Sequence, residues 1–135
     1  MANLMTYGNK GGYNDAQTVL AASAYLTDQT VQINNLCQIG VQVVMRVSVK
    51  TESPTSLTLT IKGICPISGK KYTILAGAAV STVSTNVYTV FPGMTAASNV
   101  SANDFIPKTF EISVAGVGLD VANNFTYSVA IQMLR

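Results

Sequence analysis

Catalysis by this chain would have to run on carboxylates, thiols and phenols, because its 135 residues include no histidine. Histidine is the commonest general base, the usual partner of a serine or cysteine nucleophile and the commonest metal ligand. The acids are Asp15, Asp28, Glu52, Asp104, Glu111 and Asp120. They fall in separate segments, and no two are close in sequence. A glycosidase needs two carboxylates about 5–10 Å apart, whereas a lone acid in a loop ordinarily caps a turn. Cys37 and Cys65, with no histidine beside them, offer neither a tetrahedral metal site nor an activated thiolate. Both are expected as buried thiols packing like small hydrophobes. The chain is therefore expected to be no enzyme, with no catalytic residue, cofactor or metal ligand.

Other segments that could bind something read more simply as structure. Gly8-Asn9-Lys10-Gly11-Gly12 is glycine-rich, but a phosphate loop needs a strand before it and a helix after it. The eight Lys and Arg are scattered, Lys70-Lys71 being the one adjacent pair, and the net charge is +2. Nucleic-acid binding needs a clustered basic footprint, so no nucleic-acid partner is expected. Tyr72, Tyr88 and Tyr127 fall on predicted strands. Exposed, they could stack on sugars or bases; the favoured reading sets each ring across core and surface with its hydroxyl outside. No apolar run reaches the length of a membrane span. Met1 to Gly12 has neither a basic start nor an apolar stretch, so no signal peptide is expected. Asn99-Val100-Ser101 and Asn124-Phe125-Thr126 are then chance matches to the glycosylation sequon.

Composition points to assembly. Apolar residues make up 48% of the chain, an ordinary share, but charged residues only 10%, against about a quarter in typical domains. Low charge with abundant Val, Ile, Leu and Thr excludes disorder, which needs the opposite balance. The surface must then consist mainly of Ser, Thr, Asn and Gln. Such a surface lacks the charge that keeps monomers apart.

The elements that would position these residues follow from alternation. Residues 1–29 read as a flexible arm: Met1 to Asp15 is rich in Gly and Asn, and Ala16 to Leu26 is Ala-rich, irregular or a first strand. Residues 30–135 read as one β-domain. In Gly40 to Lys50, Val41, Val43, Met45, Val47 and Val49 share one parity, the mark of a strand with one apolar face. Leu57, Leu59 and Ile61 alternate after a Thr51-Glu52-Ser53-Pro54 turn, so these two runs are predicted to form a hairpin. Pro66 to Lys71 is a turn, Lys71 to Leu75 a short strand and Asn86 to Phe91 another, closed by Pro92-Gly93. Thr95 to Asn103 is loop. Thr109 to Val114 and Phe125 to Met133 alternate again, with Gly116 to Asn124 a loop between them. Seven or eight strands with turns between them and no helix predict an all-β fold: an antiparallel β-sandwich or jelly-roll-like barrel.

The string Thr60-Ile61-Lys62-Gly63 followed by Pro66-Ile67-Ser68-Gly69-Lys70-Lys71-Tyr72-Thr73-Ile74-Leu75 resembles small virion proteins of tailed bacteriophages. The resemblance continues through Phe91-Pro92-Gly93-Met94-Thr95-Ala96-Ala97, Asn99 to Asp104, Ile106 to Phe110 and Phe125 to Val129, and covers the chain from Val41 on. It implies a β-sandwich that coats a capsid as a decoration (cement) protein, with a tail, neck or fibre subunit as the alternative. Its partners would be the major capsid protein, other virion proteins and further copies of itself as a homo-oligomer, a trimer being the expected state. Its place would be the virion, assembled in the bacterial host cytoplasm. In such proteins an N-terminal arm often reaches a neighbouring subunit. The candidate partner-binding residues here are accordingly Tyr7, Lys10, Tyr13, Asp15 and Leu20. A carbohydrate-binding module using the strand tyrosines is the reading of another class.

Overall fold

The computed structural model describes residues 3–7, 16–35 and 38–134. Among them ten strands and no helix occur: β1 (Asn3–Tyr7), β2 (Ala16–Ala24), β3 (Gln29–Asn35), β4 (Gly40–Lys50), β5 (Ser56–Ile64), β6 (Lys71–Ala76), β7 (Ser84–Val90), β8 (Ser101–Ala102), β9 (Thr109–Val117) and β10 (Phe125–Leu134). They form two sheets of five, β1-β3-β9-β5-β6 and β2-β10-β4-β7-β8. With the edge strands β1 and β8 set aside, the order is β2-β10-β4-β7 facing β3-β9-β5-β6, which is that of a jelly roll. The expected all-β sandwich is what the chain forms. Pairing is antiparallel except at two edges, where β1 runs parallel to β3 and β8 parallel to β7.

The core lies where the alternation puts it. Val41, Val43, Met45 and Val47 of β4 point inward, as do all five alternating residues of β10: Phe125, Tyr127, Val129, Ile131 and Met133. Leu57, Leu59 and Ile61 of β5, with Phe110, Ile112 and Val114 of β9, meet them from the other sheet. Each such side chain contributes about 1.5–3 kcal/mol on burial. Val49 departs from its parity group and is exposed, because a bulge between Val47 and Val49 sets it opposite the outward Thr126.

Two expectations are corrected, the first a pairing and the second a loop. The runs at Gly40 to Lys50 and Leu57 to Ile61 do not form a hairpin. β4 pairs with β10 and β7, whereas β5 pairs with β9 and β6 in the opposite sheet. Both strands carry an apolar face that needs cover, and stacking the two faces across about 10 Å buries more than laying them side by side. Within residues 1–29, β2 is antiparallel to β10 and β1 is paired with β3. Thr95 to Asn103 is loop except for β8, whose two residues extend the sheet at β7.

Candidate functional site

Three of the described acids accept hydrogen bonds from backbone amides. Asp28 accepts a hydrogen bond from the Gly116 amide at 3.0 Å, and Asp104 accepts one from Phe105 at 2.8 Å. Asp120 accepts from the amides of Ala122 and Asn123 and from the Asn123 side chain. That side chain, followed by the Asn123 backbone, holds the Asp120 carboxyl below its ordinary value. Glu52 takes a positive φ of 44° in its turn. Glu111 is the exception: it is 2% exposed on the outer face of its sheet. Gln32 and Lys62 flank it in register, and Lys71 reaches over β5 to pair with it. Among the described residues, no group of three or more His, Cys, Asp or Glu side chains converges.

Cys65 is not a buried core thiol. It is half-buried where the β5–β6 turn begins, and its amide and carbonyl bond Lys70 and Gly69. The Ser68 hydroxyl, then the amides of Ser68 and Ile67, hold its thiol below the ordinary value of 9.0. A turn, unlike a strand interior, points successive N–H groups at one atom, and sequence alternation carries no sign of that. Cys37 lies outside the described residues.

The tyrosines are also placed differently from the expectation. Tyr88 and Tyr127 are 4% and 1% exposed, so neither presents a stacking face or an outward hydroxyl. Burial pushes both phenols up, Tyr127 the further. The Tyr25 ring covers Tyr127 with centroids 5.1 Å apart. Tyr72 is partly exposed and lies across Gly63, where any Cβ would meet its ring.

What the molecule offers a partner is a nearly uncharged surface. Arg46 and Lys50 are the only charged residues in the five strands β2, β10, β4, β7 and β8. On the outer face of that sheet the registers align Thr18, Ala130, Val44 and Val87 in one row across four strands. A second row is Ala16, Gln132, Gln42 and Thr89. The side chains of these rows are thus small, aliphatic or amidic. Its lateral boundary is β2, whose nine residues contain no charge.

The two ends of the sandwich differ. At one end Thr51, Ser53 and Thr55 bond Ala122, Asn123, Asn124 and Val117. Asp28, Glu52 and Asp120 gather there with the exposed Val121. At the other end the Cys65–Gly69 turn faces Pro107 and Lys108, close to Lys70 and Lys71.

Of the candidate partner-binding residues, Tyr7 lies in β1, while Lys10, Tyr13 and Asp15 fall outside the described residues. Leu20 is 7% exposed, with its side chain in the core beside Val129. Val19 beside it is partly buried against the same core. The residues that alternation did not single out are the outward-facing Thr18, Ala130, Val44 and Val87, which meet only through long-range register.

No protein-family model matches the chain, and no curated protein matches it. Among solved structures, the pre-peptidase C-terminal domain of a Bacillus anthracis collagenase is similar at 10% identity, covering 97% of this chain and 94% of that one, with a TM-score of 0.48. PliG of Aeromonas hydrophila, a periplasmic inhibitor of g-type lysozyme, is similar at 8% identity over 98% and 96%, with a TM-score of 0.40. The structure of infectious bursal disease virus, Gx strain, is similar at 14% identity over 89% of this chain and 26% of that one, with a TM-score of 0.39. What these proteins have in common with this chain is a β-sandwich outline.

Proposed function

We propose that this chain is a non-enzymatic virion structural protein that decorates the head of a tailed phage and stabilises it through contacts with the capsid protein and with itself. The observation that carries the reading is the almost uncharged outer face of the β2-β10-β4-β7-β8 sheet. A face of Thr, Ala, Val and Gln has almost no charge to desolvate, and its hydroxyls and amides can hydrogen-bond a neutral neighbour. The jelly-roll order is an architecture used by viral shell proteins. One fold hosts many functions, so the face and the sequence resemblance carry more weight than the fold.

The mechanism is linkage. A protein that binds the assembled shell and not its free subunits shifts assembly toward the shell, by about 2.7 kcal/mol per site at a concentration 100-fold above Kd. No step requires an activated group. Quantitative mass spectrometry of purified particles tests the proposal. Copies in the stoichiometry of the capsid lattice are expected. A single ring's worth of copies would move the protein to the neck or tail, and absence from particles would overturn the reading. Val44→Glu, which plants a charge in the middle of the face, should leave the melting temperature within a few degrees and strip the protein from particles.

A further inference from the structure

We propose that the two ends of the sandwich are complementary docking surfaces, the acidic end of one molecule seating on the lysine end of the next, so that the chain associates head to tail. The registers put the 25–28, 51–55 and 118–124 connections at one end, and the 65–70 turn and the 103–108 segment at the other. At the first end Asp28, Glu52 and Asp120 are exposed, and Lys50 is the one cation there among the described residues. At the second end Lys62, Lys70, Lys71 and Lys108 outnumber Asp104 and Glu111. The two most exposed large apolar side chains described are split in the same way. Val121, 84% exposed, stands on the acidic end, and Ile67, 95% exposed, on the lysine end. Ile67 lines an open groove of about 500 Å³ together with Ile64, Pro66, Pro107 and Lys108.

Charge complementarity selects a second copy as the occupant. Strands of nine to eleven residues hold the two ends about 30 Å apart. That is well beyond the Debye length of about 8 Å at physiological salt, so one molecule does not neutralise its own ends. Two like ends brought together would set carboxylates against carboxylates or lysines against lysines. The acidic end on the lysine end sets opposite charges together and covers Val121 and Ile67 in the same contact. A foreign partner would call for one such end; self-association calls for both on one chain, and both are present. The contact joins two different surfaces, so it closes into a ring or runs on as a filament. The proposal goes beyond the virion reading. It leaves the outer face of the β2-β10-β4-β7-β8 sheet free, so either reading can fail without the other.

Sedimentation velocity of the purified chain tests it. In about 20 mM salt the wild type should show a mean mass above 14.2 kDa that rises with concentration, and it should shift back toward the monomer in about 0.5 M salt. The K70E/K108E variant reverses one end and the E52K/V121K variant the other, at four exposed positions. Each alone should sediment as a monomer with an unchanged far-ultraviolet circular dichroism spectrum. Mixed in equal amounts the two should associate, because each supplies the end that the other lacks. A wild-type monomer at every concentration in low salt overturns the proposal, and the salt series decides this even where a variant fails to fold. An oligomer that survives either variant also overturns it, and so does a mixture of folded variants that stays monomeric.

Discussion

Lys71 and Glu111 bring opposite charges to an outer face that is otherwise mostly hydroxyl and aliphatic. The carboxylate side chain is 3% exposed and the lysine side chain 46%. Removing the lysine leaves a buried charge with less to balance it, and for a fully buried pair that loss is about 3–5 kcal/mol. Solvent around Lys71, and Lys62 standing opposite Glu111 in register, should hold the cost of Lys71→Met to about 1–2 kcal/mol. Glu111→Gln removes the charge that needs pairing and should cost less. Urea denaturation of both variants measures the order, and an equal loss would show that the charge itself is immaterial. Cys65 makes a second residue-level prediction. With Ser68 holding the thiol below its ordinary value, iodoacetamide at neutral pH should modify Cys65 faster in the wild type than in Ser68→Ala, as peptide mapping would record. An equal rate in the two proteins would count against the turn as the cause. Neither contact was legible in the sequence. Glu111 stands in an outward parity slot, and its burial depends on side chains from three other strands.

Turns and strands show how far local pattern reaches. In the predicted Pro66 to Lys71 turn Gly69 takes a positive φ of 71°, as does Gly93 after Pro92 at 89°. Gly118 has the same φ of 71°, but a Cβ there would stand 2.6 Å from Thr55 Oγ1, while nothing surrounds Gly69. Gly69→Ala should therefore cost about 1–2 kcal/mol from backbone strain alone. Gly118→Ala should cost distinctly more, because Thr55 must move as well. Thermal melts of the two variants decide this, and equal losses would mean that the 118–124 loop yields freely. The Thr55 contact exists because the β4–β5 connection and the β9–β10 loop fold against each other. The same crossing is why the expected β4–β5 hairpin is absent. Two apolar-faced strands joined by a short polar loop read identically whether they pair or stack.

The whole molecule has one contiguous core drawn from both sheets, so unfolding should be a single cooperative transition. Its pH dependence at the alkaline end follows from the tyrosines. Tyr127 and Tyr88 have phenol values raised above the ordinary 10.0 by burial. The folded state therefore holds these protons more tightly than the unfolded chain does. Stability is untouched below about pH 10 and falls as the pH rises above it, because only the unfolded chain then ionises freely. Urea midpoints across that range should drop in the wild type, and the drop should shrink in Tyr127→Phe. A midpoint that drops equally in Tyr127→Phe would assign the loss elsewhere. At this scale the chain also has direction: acids gather at the 51–55 and 118–124 end, and lysines at the 65–70 and 107–108 end.

The sequence by itself determined the positions of β4, β5, β6, β7, β9 and β10, the inward parity of β4, β5, β9 and β10, most of the turns and the scarcity of charge. These are local properties, since an alternation of period two needs only neighbouring residues. Tertiary structure alone decided the order β2-β10-β4-β7-β8, the parallel seating of β1, the burial of Glu111, Tyr88 and Tyr127, and the row from Thr18 to Val87. Each of these depends on which remote strand lies alongside and in what register. A shift of one residue turns a strand's whole set of side chains to the other face, and nothing in one strand's own alternation specifies its neighbour. The absence of histidine was plain from the start. The neutral outer face came into view once the strands had neighbours.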